Sequence, residues 1–146
     1  MIQSPVSAPP LPGLRPTLWL LWLSAALILA YWLSYFGAGS VQASQAACYH
    51  LFERNFPLPD GFVALCAVLA ALQLRRRRAA GLLWALLCAG GLCFLGLIDI
   101  SYNLWNDMYR LRTAQMAGEA LINLACLGMA LWLSQRCWRW RRLLLQ

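Results

Sequence analysis

The sequence predicts an all-α integral membrane protein: a four-transmembrane-helix antiparallel bundle with both termini in the cytoplasm. Three observations predict it. Hydrophobic residues make up 62% of the 146 and charged residues only 12%, against about 45–50% and roughly 25% in soluble domains. The apolar residues fall into four runs, each near the ~20 residues that cross a bilayer. Arginines gather in blocks on one side of those runs. Four spans leave little chain for a soluble catalytic domain, a nucleotide-binding fold or a nucleic-acid module.

The first sixteen residues, Met1–Pro16, hold five prolines and no apolar period. They read as a flexible cytoplasmic arm. The first span is Thr17–Ala38. A cleaved signal peptide is the rival reading, with Val41-Gln42-Ala43 as a small-residue cleavage site. A signal core is usually 7–15 residues, whereas this run has 22, so a retained helix is expected. The second span runs from Asp60-Gly61 to Leu74 against Arg75–Arg78, and Leu58 with snorkelling Arg stems lengthens it to 58–75. The third covers 79–101 and the fourth 113–135. A basic and aromatic tail over 136–146 follows, with Trp138 and Trp140 expected at headgroup level as an interfacial anchor.

The charge sets the orientation. Arg15, Arg75–Arg78, Arg136, Arg139, Arg141 and Arg142 make nine basic residues on one side, with no acid among them. The other side holds Arg54, Arg110 and Arg112 together with every acid: Glu53, Asp60, Asp99, Asp107 and Glu119. Lys and Arg accumulate on cytoplasmic loops, so the arginine-rich side faces the cytoplasm. The net charge of +7 is then a matter of topology, and no nucleic-acid partner is expected. With the arginine, alanine and leucine bias, the reading is a multi-pass protein of a bacterial inner membrane. Of the two outer loops, 39–59 contains SQAACYHLFERN, which reads as a short interfacial helix before the stiff Phe56–Pro59 segment. Loop 104–112 is short and makes spans three and four neighbours. Gly81, Ala85, Ala89 and Cys93, with Gly90 alongside, form a small-residue ladder on span three. Such a ladder lets another helix of the chain, or of a second protomer, approach closely.

No catalytic or cofactor motif is present. There is no CxxC, no HExxH and no Gly-rich phosphate loop, and His50 is the one histidine. The sequence gives no reason to expect a metal or a cofactor. The six cysteines, four of them inside spans, read as small apolar packers.

A polar set at one membrane depth is the informative feature. Glu119 and Asn123 are four apart on span four and share a face. Counted from Thr113 they lie ~9 Å and ~15 Å along the helix. Asp99 and Asn103 repeat the spacing on span three, Tyr31 and Tyr35 on span one, and Asp60 begins span two. Ionisable groups inside a membrane are costly and mark function by default, with a partner to be named. Arg54, Arg110 and His50 are the cations within loop reach. One reading is a periplasm-facing pocket in which Glu119, Asn123, Asp99, Asn103, Asp60, Tyr31 and Tyr35 bind a ligand. In an enzyme, Glu119 and Asp99 are the acid and base. The other reading is a hydrogen-bond network that fastens the helices together, with Asp60 as a helix cap.

In helix number the chain is similar to sterol-isomerase-like bundles, which carry acidic residues in a lipid-accessible pocket. The similarity is one of architecture, and no motif aligns residue by residue. It also resembles small multidrug transporters in helix number. Those carry their essential carboxylate in the first helix, where Thr17–Ala38 has none. The small size and the lack of a motif favour a non-enzymatic protein that binds a membrane or periplasmic protein partner, as an accessory or immunity-type protein. The alternative is a membrane-embedded enzyme or carrier for a lipid-like or small-molecule ligand.

Overall fold

The structure is a computed structural model that describes residues 10–39, 41, 42, 44 and 46–145. Most of the Pro-rich arm, and Ala43 of the cleavage reading, lie outside the described residues. Five α-helices follow in order: α1 Leu14–Gly37, α2 Ala47–Glu53, α3 Pro57–Arg75, α4 Ala80–Trp105 and α5 Ala114–Leu144. No strand occurs among the described residues. Four stretches are long and apolar enough to cross a membrane: α1, α3 with α2 at its head, α4 and α5.

Local sequence accounts for the helix ends. Pro57 and Pro59 fall in the first turn of α3, where backbone N–H groups have no intrahelical acceptor and proline costs nothing. The segment expected as a stiff lead-in is therefore the start of the helix. Thr113 caps α5, its hydroxyl accepting from the Met116 N–H at 3.2 Å. α5 continues well beyond 135, through the arginines to Leu144. The expected tail is thus an extension of the last helix, and its two tryptophans part ways. Trp138 is exposed, whereas Trp140 is buried and donates its indole N–H to the Pro12 carbonyl at 3.1 Å. Trp140 is a packing residue rather than the interfacial anchor expected of it.

Packing follows chain order, α1 on α3, α3 on α4 and α4 on α5. The small-residue ladder serves the second of these contacts. Gly81, Ala85 and Ala89 are buried with Ala64, Ala67, Ala70 and Ala71 of α3 in one apolar core. A Cβ at position 81 would lie 2.8 Å from the backbone nitrogen of Leu74. Only glycine allows that approach, so the ladder's close partner is a helix of this same chain. The cysteines are all free, and Cys66, Cys88 and Cys137 are buried in this core.

Where the arginines concentrate, α1 and α5 meet. The Thr17 hydroxyl accepts from Trp132 Nε1 at 3.2 Å and donates to the Gly13 carbonyl at 2.8 Å. Arg136 reaches the Pro12 carbonyl at 3.3 Å and stacks over Trp132 at 4.2 Å. Gly13 makes the turn ahead of α1 with φ 75°, and a Cβ there would strike the Arg136 guanidinium at 2.7 Å. Away from this end few residues of the two helices are buried. The buried stripe of α1 is Thr17, Leu21 and Ala25, and beyond it only Tyr35 is buried. On α5 no residue between Asn123 and Ala130 is fully buried. A wedge opens in between.

Candidate functional site: a carboxylate cluster at the head of a flank cavity

The wedge is a cavity of about 410 Å³. α1 lines one wall with Leu27, Ile28 and Tyr31, and α5 lines the other with Ile122, Cys126 and Met129. Leu92, Leu95 and Gly96 of α4 form the floor. Glu53, Phe56, Asp60, Asp99, Glu119 and Asn123 close the end away from the arginines. A second hollow of about 310 Å³ shares Tyr31, Glu119 and Ile122 with the first and is lined further by Ala114, Gln115 and Gly118 at the start of α5. The volume is that of a small-molecule site, mostly apolar with a few convergent polar groups.

The polar groups form a compact cluster. Carboxylate oxygens of Glu53, Asp99 and Glu119 all lie within 4.8 Å of one another. Each of the three residues is at most 8% exposed. The i,i+4 pairs on α4 and α5 interlock crosswise. Asn123 of α5 donates to Asp99 of α4 at 2.6 Å, while Asn103 of α4 donates to Glu119 of α5 at 2.9 Å and to Asp99 at 3.4 Å. Two hydroxyls complete the ring. Tyr49 donates to Glu119 and Tyr31 to Glu53, both at 3.4 Å. Beyond Tyr49, Met108 and Met116 make a small apolar cap with Tyr102 and Tyr109 packed against it.

This is a cluster of three carboxyl groups with no ion-pair partner among the described residues. Among the described residues no arginine or histidine makes an ion pair with the three carboxylates; the one ion pair is Arg110–Asp107, at 3.1 Å and largely exposed. Arg110, expected within reach, is thereby engaged elsewhere. His50 shares a hydrogen bond with the Tyr35 hydroxyl at 3.2 Å. Two ionised carboxylates at such separations repel by about 3–4 kcal/mol at an effective dielectric of 20. Protons, a cation or a cationic ligand must offset three of them. Among the buried polar atoms without a partner are the Tyr102 hydroxyl beside the cap and, within the cluster, the Asn103 carbonyl oxygen, the latter at a cost on the order of 1–3 kcal/mol.

Of the sequence-predicted set, Glu119, Asn123, Asp99, Asn103 and Tyr31 come together at the cluster. Asp60 lies on the same cavity, but its carboxylate accepts from Trp32 Nε1 of α1 at 2.8 Å. It ties α3 to α1, and the N-cap position of α3 belongs to Phe56. Tyr35 turns to His50 of α2 and takes no part in the cluster. Glu53 and Tyr49, both on α2, were not expected. They had read as residues of a short interfacial helix in the outer loop, and their i,i+4 spacing on ACYHLFE was the signal that puts both on one helical face. No protein-family model, no curated protein and no solved structure matches the chain.

Proposed function

We propose that this chain is a small multi-pass protein of a bacterial inner membrane whose periplasmic-side pocket binds an amphiphilic, lipid-like ligand. In this reading the four long helices alternate in direction, the arginine-rich end lies in the cytoplasm with both termini, and the carboxylate cluster lies in the outer leaflet. Nine arginines against three support that orientation.

The observation that carries the proposal is the wedge between α1 and α5. Its walls are apolar, they belong to two helices long and apolar enough to cross a membrane, and its charged groups sit at one end. That polarity matches an amphiphile: a tail between α1 and α5, and a polar head at Glu53, Asp99 and Glu119. The head would exchange one costly desolvated cluster for a satisfied one. The groups present are equipped for acid–base work, with Glu119 and Asp99 within reach of one bound atom and Asn103, Asn123, Tyr31 and Tyr49 orienting them. A partner-binding accessory or immunity-type role draws its support from small size and short loops, and the pocket favours the ligand over it.

Native mass spectrometry of the protein gently extracted from its own membrane tests the proposal. A retained lipid or small molecule is expected in the wild type and is lost in Glu119→Gln/Asp99→Asn, which keeps shape and hydrogen bonding. A wild-type chain that flies bare, or carries only a stoichiometric protein, refutes it.

A further inference from the structure

We infer that Glu53, Asp99, Glu119 and Asn103 form a binding site for one hard divalent cation of the calcium or manganese kind. The inference goes beyond the amphiphile pocket and stands on the cluster alone; in the presence of a ligand the ion would lie between the carboxylates and the polar head.

Three features support it. The first is spacing. Oxygens on opposite sides of an ion with bonds of about 2.3–2.6 Å lie roughly 4.6–5.2 Å apart. Three carboxylate oxygens mutually within 4.8 Å therefore fit around one such ion with little movement of the chain. They also come from three separate helices, α2, α4 and α5, so the site is held by tertiary structure.

The second feature is independent of the acids. Asn103 is wholly buried, its amide nitrogen faces Glu119 and Asp99, and its carbonyl oxygen is without a donor. With the cluster empty, the amide must present nitrogen to the carboxylates. Turning the amide over about its last torsion brings the orphaned oxygen to where the nitrogen stands, 2.9 Å from a Glu119 oxygen. A carbonyl there is intolerable beside carboxylates alone and favourable around a cation. The same turn gives the oxygen a partner and supplies a fourth ligand, in exchange for the two hydrogen bonds that the nitrogen makes to Asp99 and Glu119 in the empty cluster.

The third feature is donor chemistry. Every candidate ligand is oxygen: two glutamates, an aspartate, an amide carbonyl and the nearby Tyr31 and Tyr49 hydroxyls. Oxygen-only sets select calcium, magnesium and manganese over zinc or copper. The one histidine is engaged with Tyr35. The second hollow, lined by Ala114, Gln115 and Glu119, adjoins the site.

Titration of manganese(II) into the full-length, chelator-stripped protein in a non-ionic detergent, followed by loss of the free-ion EPR signal, tests the inference. One site per chain, displaced by calcium, is expected. Glu53→Gln and Glu119→Gln should each weaken binding about tenfold or more, since charge count sets affinity in such sites. Asp107→Asn, remote from the cluster, should leave it unchanged. Asn103→Asp adds a fourth carboxylate and should tighten binding, a gain that a misfolded variant does not produce. Far-UV CD and gel filtration confirm that each variant is folded. No saturable binding by the folded wild type up to about 1 mM ion, the weak limit of known calcium modules, overturns the inference. So does binding that the glutamine variants leave unaltered. Retention of a lipid in native mass spectra alongside absent metal binding overturns this site and leaves the amphiphile pocket standing.

Discussion

The crosswise bridges between α4 and α5 permit a quantitative test by a double-mutant cycle on Asp99 and Asn123. Asn123 Nδ2 lies 2.6 Å from Asp99 Oδ2, and the residues are 4% and 8% exposed. Asn123→Leu leaves Asp99 with only the 3.4 Å contact from Asn103. The loss of this buried hydrogen bond should cost about 0.5–3 kcal/mol, the upper part of the range applying to an ionised Asp99. Asp99→Leu orphans the Asn123 amide instead and should cost about 1–3 kcal/mol. Removing both partners orphans nothing, so the double variant should cost less than the two singles together. Measured couplings between buried polar groups of membrane helices average about 0.6 kcal/mol and reach about 1.7. The unfolding constant of the double variant should therefore fall short of additivity by about 3- to 16-fold. Unfolding in mixed micelles with increasing SDS, followed by far-UV CD, reads this directly. Additivity to within about 0.3 kcal/mol, the scatter of independent sites, would refute the claim that these bridges hold α4 to α5.

Two further outcomes follow from packing and exposure. Gly81→Ala should destabilise by about 1–3 kcal/mol in the same assay, because its Cβ meets the Leu74 backbone nitrogen at 2.8 Å. Gly90→Ala on the same helix meets nothing within 4 Å and should be neutral or stabilising by up to about 1 kcal/mol; equal losses at both positions would refute the close α3–α4 approach. Cys48 is exposed and Cys137 buried, so a membrane-impermeant maleimide added to intact spheroplasts should label Cys48 alone. Labelling of Cys48 only after lysis would reverse the proposed orientation.

The long helices were legible because their lengths answer to a single outside constraint. Apolar runs near 20 residues bounded by arginines admit few other readings, and α1, α3, α4 and α5 begin within a few residues of the expected boundaries. Their polar faces were legible for a similar reason, since an i,i+4 pair on a helix shares a face wherever the helix goes. Glu53 was not legible as a site residue. Its neighbours His50, Arg54 and Asn55 are polar and Glu53 ends a seven-residue helix, so local composition reads as a short helix at the interface, outside the spans. Only its meeting with Asp99 of α4 and Glu119 of α5 buries it, and that is a long-range event. Trp140 fails for the converse reason. A tryptophan among arginines at the end of a span matches an interfacial belt, and its burial depends on Pro12, 128 residues away.

That last contact bears on how the protein is made. Residues are added from the N-terminus, so α1 is complete long before α5 exists. It can lie against α3 early, but the hydrogen bonds at Pro12 and Thr17 wait for Arg136, Trp140 and Trp132. Until those residues leave the ribosome, the first helix is held along one side only and the future wedge has no second wall. The pocket therefore comes into being only once α5 has been made, and the arginine-rich turns of that helix hold the first helix in place.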